Sequence, residues 1–124
     1  MQLNQMTAMI LEDMDAMRNI MVEQLRQHGF GRVLPVENSS RALETLEHNN
    51  VDIVLLDWIM PGGNGIEVLQ TMRSNPQWHS IPVILVTAHT NRDMVTQAIK
   101  YNVSNIIAKP FTAKTLQARV IQAL

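Results

Sequence analysis

Five short aliphatic runs recur along the chain: Thr7 to Leu11, Arg32 to Val36, Ile53 to Leu56, Val83 to Val86, and Ile106 to Ala108. Each is followed by an amphipathic segment. This alternation restricts the fold more than any other feature, because strands interleaved with helices build βαβ units and a parallel sheet. Three of the runs are nearly continuous in aliphatic residues, as strands covered by helices on both faces must be.

The intervening segments carry apolar residues at helical spacing. Met17, Ile20, Met21 and Leu25 precede a stop at His28-Gly29. Asn38-Ser39-Ser40 caps a helix through Ala42, Leu43 and Leu46 that ends at Asn49-Asn50. A third helix starts near Gly65, carries Ile66, Leu69 and Met72, and stops before Pro76. A fourth begins at Asn91 with Met94, Val95, Ala98 and Ile99, and a fifth follows Thr112 through Leu116 and Val120. The expectation is an α/β fold of the (βα)5 kind, a doubly wound five-stranded parallel sheet with helices on both faces.

A chain of 124 residues can bury one core, so residues 1–124 are read as one domain. With 46% hydrophobic and 17% charged residues and a net charge of −1, the composition is globular, and no charge excess argues for nucleic acid. The absence of cysteine excludes disulfides, thiolate nucleophiles and Cys-based zinc sites. The start MQLNQMTAMILED has no basic stretch, and its apolar run soon meets Glu12 and Asp13, so neither a signal peptide nor membrane insertion is expected. The four histidines have no metal-binding spacing, and the nine methionines suit adaptable core filling.

The ionisable groups fall where such a sheet binds ligands. Glu12 and Asp13 follow the first strand, Asp57 the third and Lys109 the fifth, while Thr87 closes the fourth. Ligands of open parallel sheets bind outside the carboxyl ends of the strands, where the winding reverses. With strand order 2-1-3-4-5, that point lies between the first and third strands. Taken singly, Asp57 is a turn former, Glu12-Asp13 a helix start and Lys109-Pro110 a loop. Three carboxylates converging on one crevice, however, raise one another's pKa unless a cation sits among them. Mg²⁺ takes oxygen ligands and is typically held by one or two carboxylates plus a substrate phosphate. A nearby Lys and a hydroxyl suit phosphoryl oxygens, and the chemistry suggested is phosphoryl transfer.

These residues resemble the receiver domain of two-component response regulators, most nearly the single-domain chemotaxis type. The motifs are the acid pair Glu12-Asp13, the D-x-x-M-P-x-x-x-G stretch from Asp57 to Gly65, Thr87-Ala88 and Lys109-Pro110-Phe111, in the family's order and spacing. The resemblance implies a flavodoxin-like fold in which Asp57 accepts a phosphoryl group from a sensor histidine kinase or phosphotransfer protein. It further implies Mg²⁺ held by Asp13, Asp57 and the backbone carbonyl of Ile59, with Glu12 acting through a water. Lys109, Thr87 and the backbone of Ala88 would then contact the phosphoryl group, and Lys109-Pro110 would be cis. Ile59 and His89 would govern how water reaches the acyl phosphate. A phosphoryl group of about −1.5 to −2 charge would alter a partner-binding surface around the fourth strand, fourth helix and fifth strand.

Implied partners are therefore the kinase and a downstream protein or fused output domain, in the cytoplasm. A homodimer through the fourth helix, fifth strand and fifth helix is also allowed. The chain is read either as a complete single-domain regulator or as a receiver from a longer protein. Ile106 departs from the pattern, because many relatives carry Tyr or Phe there; a buried aliphatic is expected instead. Asn64 stands where relatives often have Asp, and the glycines of GGNG suggest a free loop. Two other functions remain in view. A phosphatase with an Asp nucleophile and Mg²⁺ wants a second Asp two positions later, where Ile59 stands. A flavodoxin-like FMN-binding module wants a Ser/Thr-rich loop where Glu12-Asp13 stands.

Overall fold

The aliphatic runs pair as parallel strands. The computed structural model describes residues 2–60, 63–88 and 92–124. Its main sheet comprises β1 (Thr7–Leu11), β2 (Arg32–Val36), β3 (Ile53–Leu56), β6 (Val83–Thr87) and β7 (Asn105–Ala108). Their order is β2-β1-β3-β6-β7, all neighbours parallel. With the short strands β4 (Ile59–Met60) and β5 (Gly63–Asn64) set aside, this is the expected 2-1-3-4-5 winding. The helices are α1 (Asp15–His28), α2 (Ser39–His48), α3 (Gly65–Ser74), α4 (Arg92–Lys100) and α5 (Ala113–Ala123).

Side chains alternate across a strand, so each central strand feeds two cores. Met9, Leu11, Val54, Leu56 and Leu85 meet Leu46 of α2, Leu69 and Met72 of α3 and Met94 of α4. Ala8, Ile10, Leu55, Ile84 and Ile107 turn the other way, onto Met21 and Leu25 of α1 and Leu116 and Val120 of α5. Both faces being covered, β1, β3 and β6 are buried along their whole length. That is why their sequences show no polar alternation. No helix among the described residues is long and apolar enough to cross a membrane.

Local signals end the helices. The Asn38 side chain accepts a hydrogen bond from the Arg41 amide at 2.9 Å, and Thr112 accepts one from the Thr115 amide at 3.1 Å. Gly29 closes α1 at φ 118°, the left-handed conformation that favours glycine. At the foot of the sheet Arg73 of α3 donates to four backbone carbonyls: Tyr101 (2.8 Å), His79 (3.0 Å), Ile81 (2.8 Å) and Asn102 (3.1 Å). It thereby ties the loops that lead into β6 and β7 to α3.

Three expectations change. Gly63 and Asn64 of the glycine stretch are paired: Ile59 pairs with Asn64 and Met60 with Gly63 in an antiparallel ladder, while Pro61 and Gly62 lie outside the described residues. That pairing satisfies backbone groups an open loop would leave to solvent. Ile20 is 49% exposed and Ile99 72% exposed, although both match a helical period. The buried stripe of α1 is centred on Met21, Val22 and Leu25, and that of α4 on Met94 and Ala98, so these isoleucines fall outside them. The start of the fourth helix at Asn91 lies outside the described residues, as does His89.

Candidate functional site

Main-chain ladders bring the site together. The Glu12 amide donates to the Val36 carbonyl (3.1 Å), and the Asp57 amide to the Leu11 carbonyl (3.0 Å). Each acid is thus held one step beyond a strand by the neighbouring strand's last carbonyl. The Lys109 amide donates to the Thr87 carbonyl in the same way, at 2.9 Å. Lys109 is followed by a cis bond to Pro110, as the resemblance implies.

A close backbone approach also fixes Asp57. A Cβ built on Gly65 would lie 1.9 Å from the Asp57 carbonyl oxygen, so only glycine lets α3 start against the acid's own backbone. The Gly65 amide closes this turn onto the Trp58 carbonyl at 2.9 Å. Trp58 itself is buried in the core beside α3, which makes it a fluorescent reporter one residue from Asp57.

The side chains meet at the mouth of the sheet. Lys109 Nζ lies 2.6 Å from Glu12 Oε1 and 3.1 Å from Asp57 Oδ2. Glu12, Asp13 and Asp57 each offer a carboxylate oxygen within 4.8 Å of the others. Three carboxylates against one ammonium leave a formal charge of −2 in a largely buried place. Burial pushes the Glu12 pKa up to about 7; Lys109 pulls against this, and Asp57 adds to it. Burial also works to lower the Lys109 pKa, but its hydrogen bonds to Glu12 and Asp57 prevail and raise it. Lys109 therefore stays charged.

One oxygen has no assigned bond: Glu12 Oε2 is buried with no hydrogen-bond partner among the described residues. An unpartnered buried oxygen, in an all-oxygen donor set with excess negative charge, suits a hard divalent cation. Among the described residues this is the one group of three or more acids and histidines able to hold a metal.

The remaining candidates are placed as follows. Thr87 is fully buried at the end of β6, level with Ala108 of β7, and Ala88 is exposed immediately after it. Ile59 opens β4 directly after Trp58. Ile106, expected to be a buried aliphatic, is only half-buried; it packs against the core beneath α2, α3 and α4. Tyr101, in the connection from α4 to β7, accepts a hydrogen bond from Gln70 Nε2 at 3.1 Å. Arg18 was not anticipated: its guanidinium reaches back from α1 to the carbonyl of Glu12. The sequence held no clear signal for it, since an arginine five residues after an acid pair at a strand end matches neither of the spacings that pair side chains on a helix.

Comparison with known proteins agrees with this geometry. The family described as "Response regulator receiver domain" matches residues 8–121. The chemotaxis protein CheY of Pseudomonas aeruginosa is 34% identical over 115 residues, 93% of this chain and 93% of the relative. The chemotaxis protein CheY-3 of Vibrio cholerae is also 34% identical, over 93% of this chain and 88% of the relative. Among solved structures, Vibrio cholerae CheY4 superposes with a TM-score of 0.91 at 20% identity, covering 96% of this chain and 98% of its own. The signal receiver domain of a Syntrophus aciditrophicus histidine kinase does so with a TM-score of 0.85 at 24% identity, covering 95% and 89%. Match and fold together show that the chain belongs to the response regulator receiver domain family, the phosphoacceptor switches of two-component signalling.

Proposed function

We propose that Asp57 is the phosphoacceptor, that residues 1–124 act as one receiver domain, and that the reaction depends on Mg²⁺. A carboxylate oxygen of Asp57 attacks the phosphorus of a phosphohistidine on a histidine kinase or phosphotransfer protein. The O–P bond forms as the P–N bond breaks, and the histidine leaves neutral once protonated. The observation that carries this reading is the convergence of Glu12, Asp13 and Asp57 with Lys109 bonded to two of them.

Glu12, Asp13 and Asp57, with the backbone carbonyl of Ile59, would hold the Mg²⁺. Bound there, the ion would supply the two positive charges that bring the cluster to neutrality before the phosphoryl group arrives. Lys109 provides a fixed cation for a phosphoryl oxygen, and the Thr87 hydroxyl and the Ala88 amide provide donors. The strand end fixes Asp57 in one place, so no reorganisation is needed as charge builds. The chain turns over no substrate beyond its own phosphorylation and slow self-dephosphorylation, and its output is a changed partner surface on α4, β7 and α5. That surface meets a downstream protein, a fused output domain or a second copy in the cytoplasm. Neither alternative function gains support from the site: Ile59 cannot serve as a second acid, and the turn after β1 is acidic.

Intact-mass spectrometry after treatment with acetyl phosphate and Mg²⁺ tests the assignment. The parent should gain one phosphoryl group and Asp57→Ala none. An unchanged gain in the variant removes Asp57 as the acceptor.

A further inference from the structure

We propose that Arg18 is a positioning residue that sets the stance of Glu12 and Asp13 toward the cation site. The inference rests on the reading of that site given above. β1 ends at Leu11, so the carbonyls of Glu12 and Asp13 have left the strand ladder, and α1 starts only at Asp15. The turn between must nevertheless aim two like-charged side chains at one point, against their mutual repulsion.

Arg18 closes this turn from the helix side. Its Nη1 donates to the Glu12 carbonyl at 2.9 Å and lies 3.4 Å from the Asp13 carbonyl, while Nη2 pairs with the Asp15 carboxylate. The Arg18 side chain is only 16% exposed, whereas Asp15 is 85% exposed. The planar fork therefore spans one backbone turn on one edge and a solvent-side anchor on the other, a geometry a single ammonium cannot reproduce.

The choice of acceptors is informative. A guanidinium that paired with the carboxylates of Glu12 and Asp13 would compete with a metal for their oxygens. Arg18 bonds instead to their backbone and is paired by an acid outside the cluster. Its hydrogen bonds take none of the side-chain oxygens of Glu12, Asp13 and Asp57, and the main chain of the first two is pinned. Outer partners of this kind orient metal ligands, and their loss typically lowers metal affinity about 10- to 100-fold.

Charge and positioning predict opposite results, which makes the proposal sharp. Removing a cation beside an acidic cluster should tighten Mg²⁺ binding if charge were all that mattered. Titration of the parent, Arg18→Ala, Arg18→Lys and Asp57→Asn with MgCl₂ decides between them, read by calorimetry and by Trp58 fluorescence, with far-UV circular dichroism and a thermal melt alongside. Arg18→Ala should weaken Mg²⁺ binding about tenfold or more. Arg18→Lys keeps the charge but loses the fork, and should weaken it several-fold. Unchanged or tighter binding in a folded Arg18→Ala overturns the proposal. If that variant fails to fold, unchanged affinity in Arg18→Lys overturns it equally. A parent that binds no Mg²⁺, or an Asp57→Asn that binds it normally, defeats the underlying site reading instead.

Discussion

Arg73 and Lys109 are both cations drawn into the protein, at opposite ends of the sheet, and their surroundings are opposite in kind. Arg73 stands below β6 and β7 and spends its donors on four neutral carbonyls. Burial lowers its pKa, and no carboxylate is bonded to it among the described residues. Lys109 stands above β7 and is shared by two carboxylates, with a third beside them and one buried Glu12 oxygen unpartnered. The lower arrangement is complete in itself and serves stability. The upper one is short of positive charge, which disfavours the isolated domain and favours whatever brings a cation.

The comparison breaks if the lower cluster matters to chemistry. Arg73→Met should cost about 3 kcal/mol in urea unfolding, because the part-buried carbonyls of Tyr101 and Ile81 lose their donor. It should leave Mg²⁺ affinity unchanged; a weakened affinity would show that the two ends are not separate.

A smaller effect is expected where backbone packing serves the site. Gly65→Ala forces a Cβ into the Asp57 carbonyl, so Asp57 or the start of α3 must shift. The cost should be about 2 kcal/mol, of the size seen for overpacking. Unlike Arg73→Met, this variant should also slow labelling by acetyl phosphate. A normal rate would mean that the shift is absorbed entirely by α3.

The smallest effect sharpens the account of the upper cluster. Glu12 titrates near 7 in the folded chain and near 4.5 when unfolded, so between these values the folded state binds the extra proton. The contribution is fully present below the unfolded value and is lost as pH rises through the folded one. Metal-free protein should therefore lose about 1 kcal/mol between about pH 6 and about pH 8. In Glu12→Gln that part of the slope should vanish. Parallel slopes for the two proteins would place the frustration elsewhere.

Much of this was legible in the chain because the signals were local or periodic. Uninterrupted aliphatic runs marked β1, β3 and β6, and Asn38 and Thr112 marked two helix starts. Ile20 and Ile99 misled because a 3.6-residue period tolerates an apolar residue on either flank of the buried stripe, and only the neighbouring elements decide which flank is covered. The β4–β5 ladder was hidden because its strands are two residues long and Gly63 read as freedom, not pairing. Gly65 was visible as a motif position, but its reason, the approach to Asp57, is a distance that sequence does not carry.

The sequence by itself determined the layered α/β fold and the strand ends at which Glu12, Asp13, Asp57, Thr87 and Lys109 stand, because burial on two faces and chain order are written in periodicity and spacing. Only the tertiary structure decided how those groups share charge. Which oxygen of Glu12 meets Lys109 and which is left unpartnered depend on ångström-scale approach between elements far apart in sequence, and that Arg18 bonds the Glu12 backbone depends on how α1 leaves the turn after β1. Electrostatic energy varies steeply over that range, so residue identity and spacing could name the participants but not their balance.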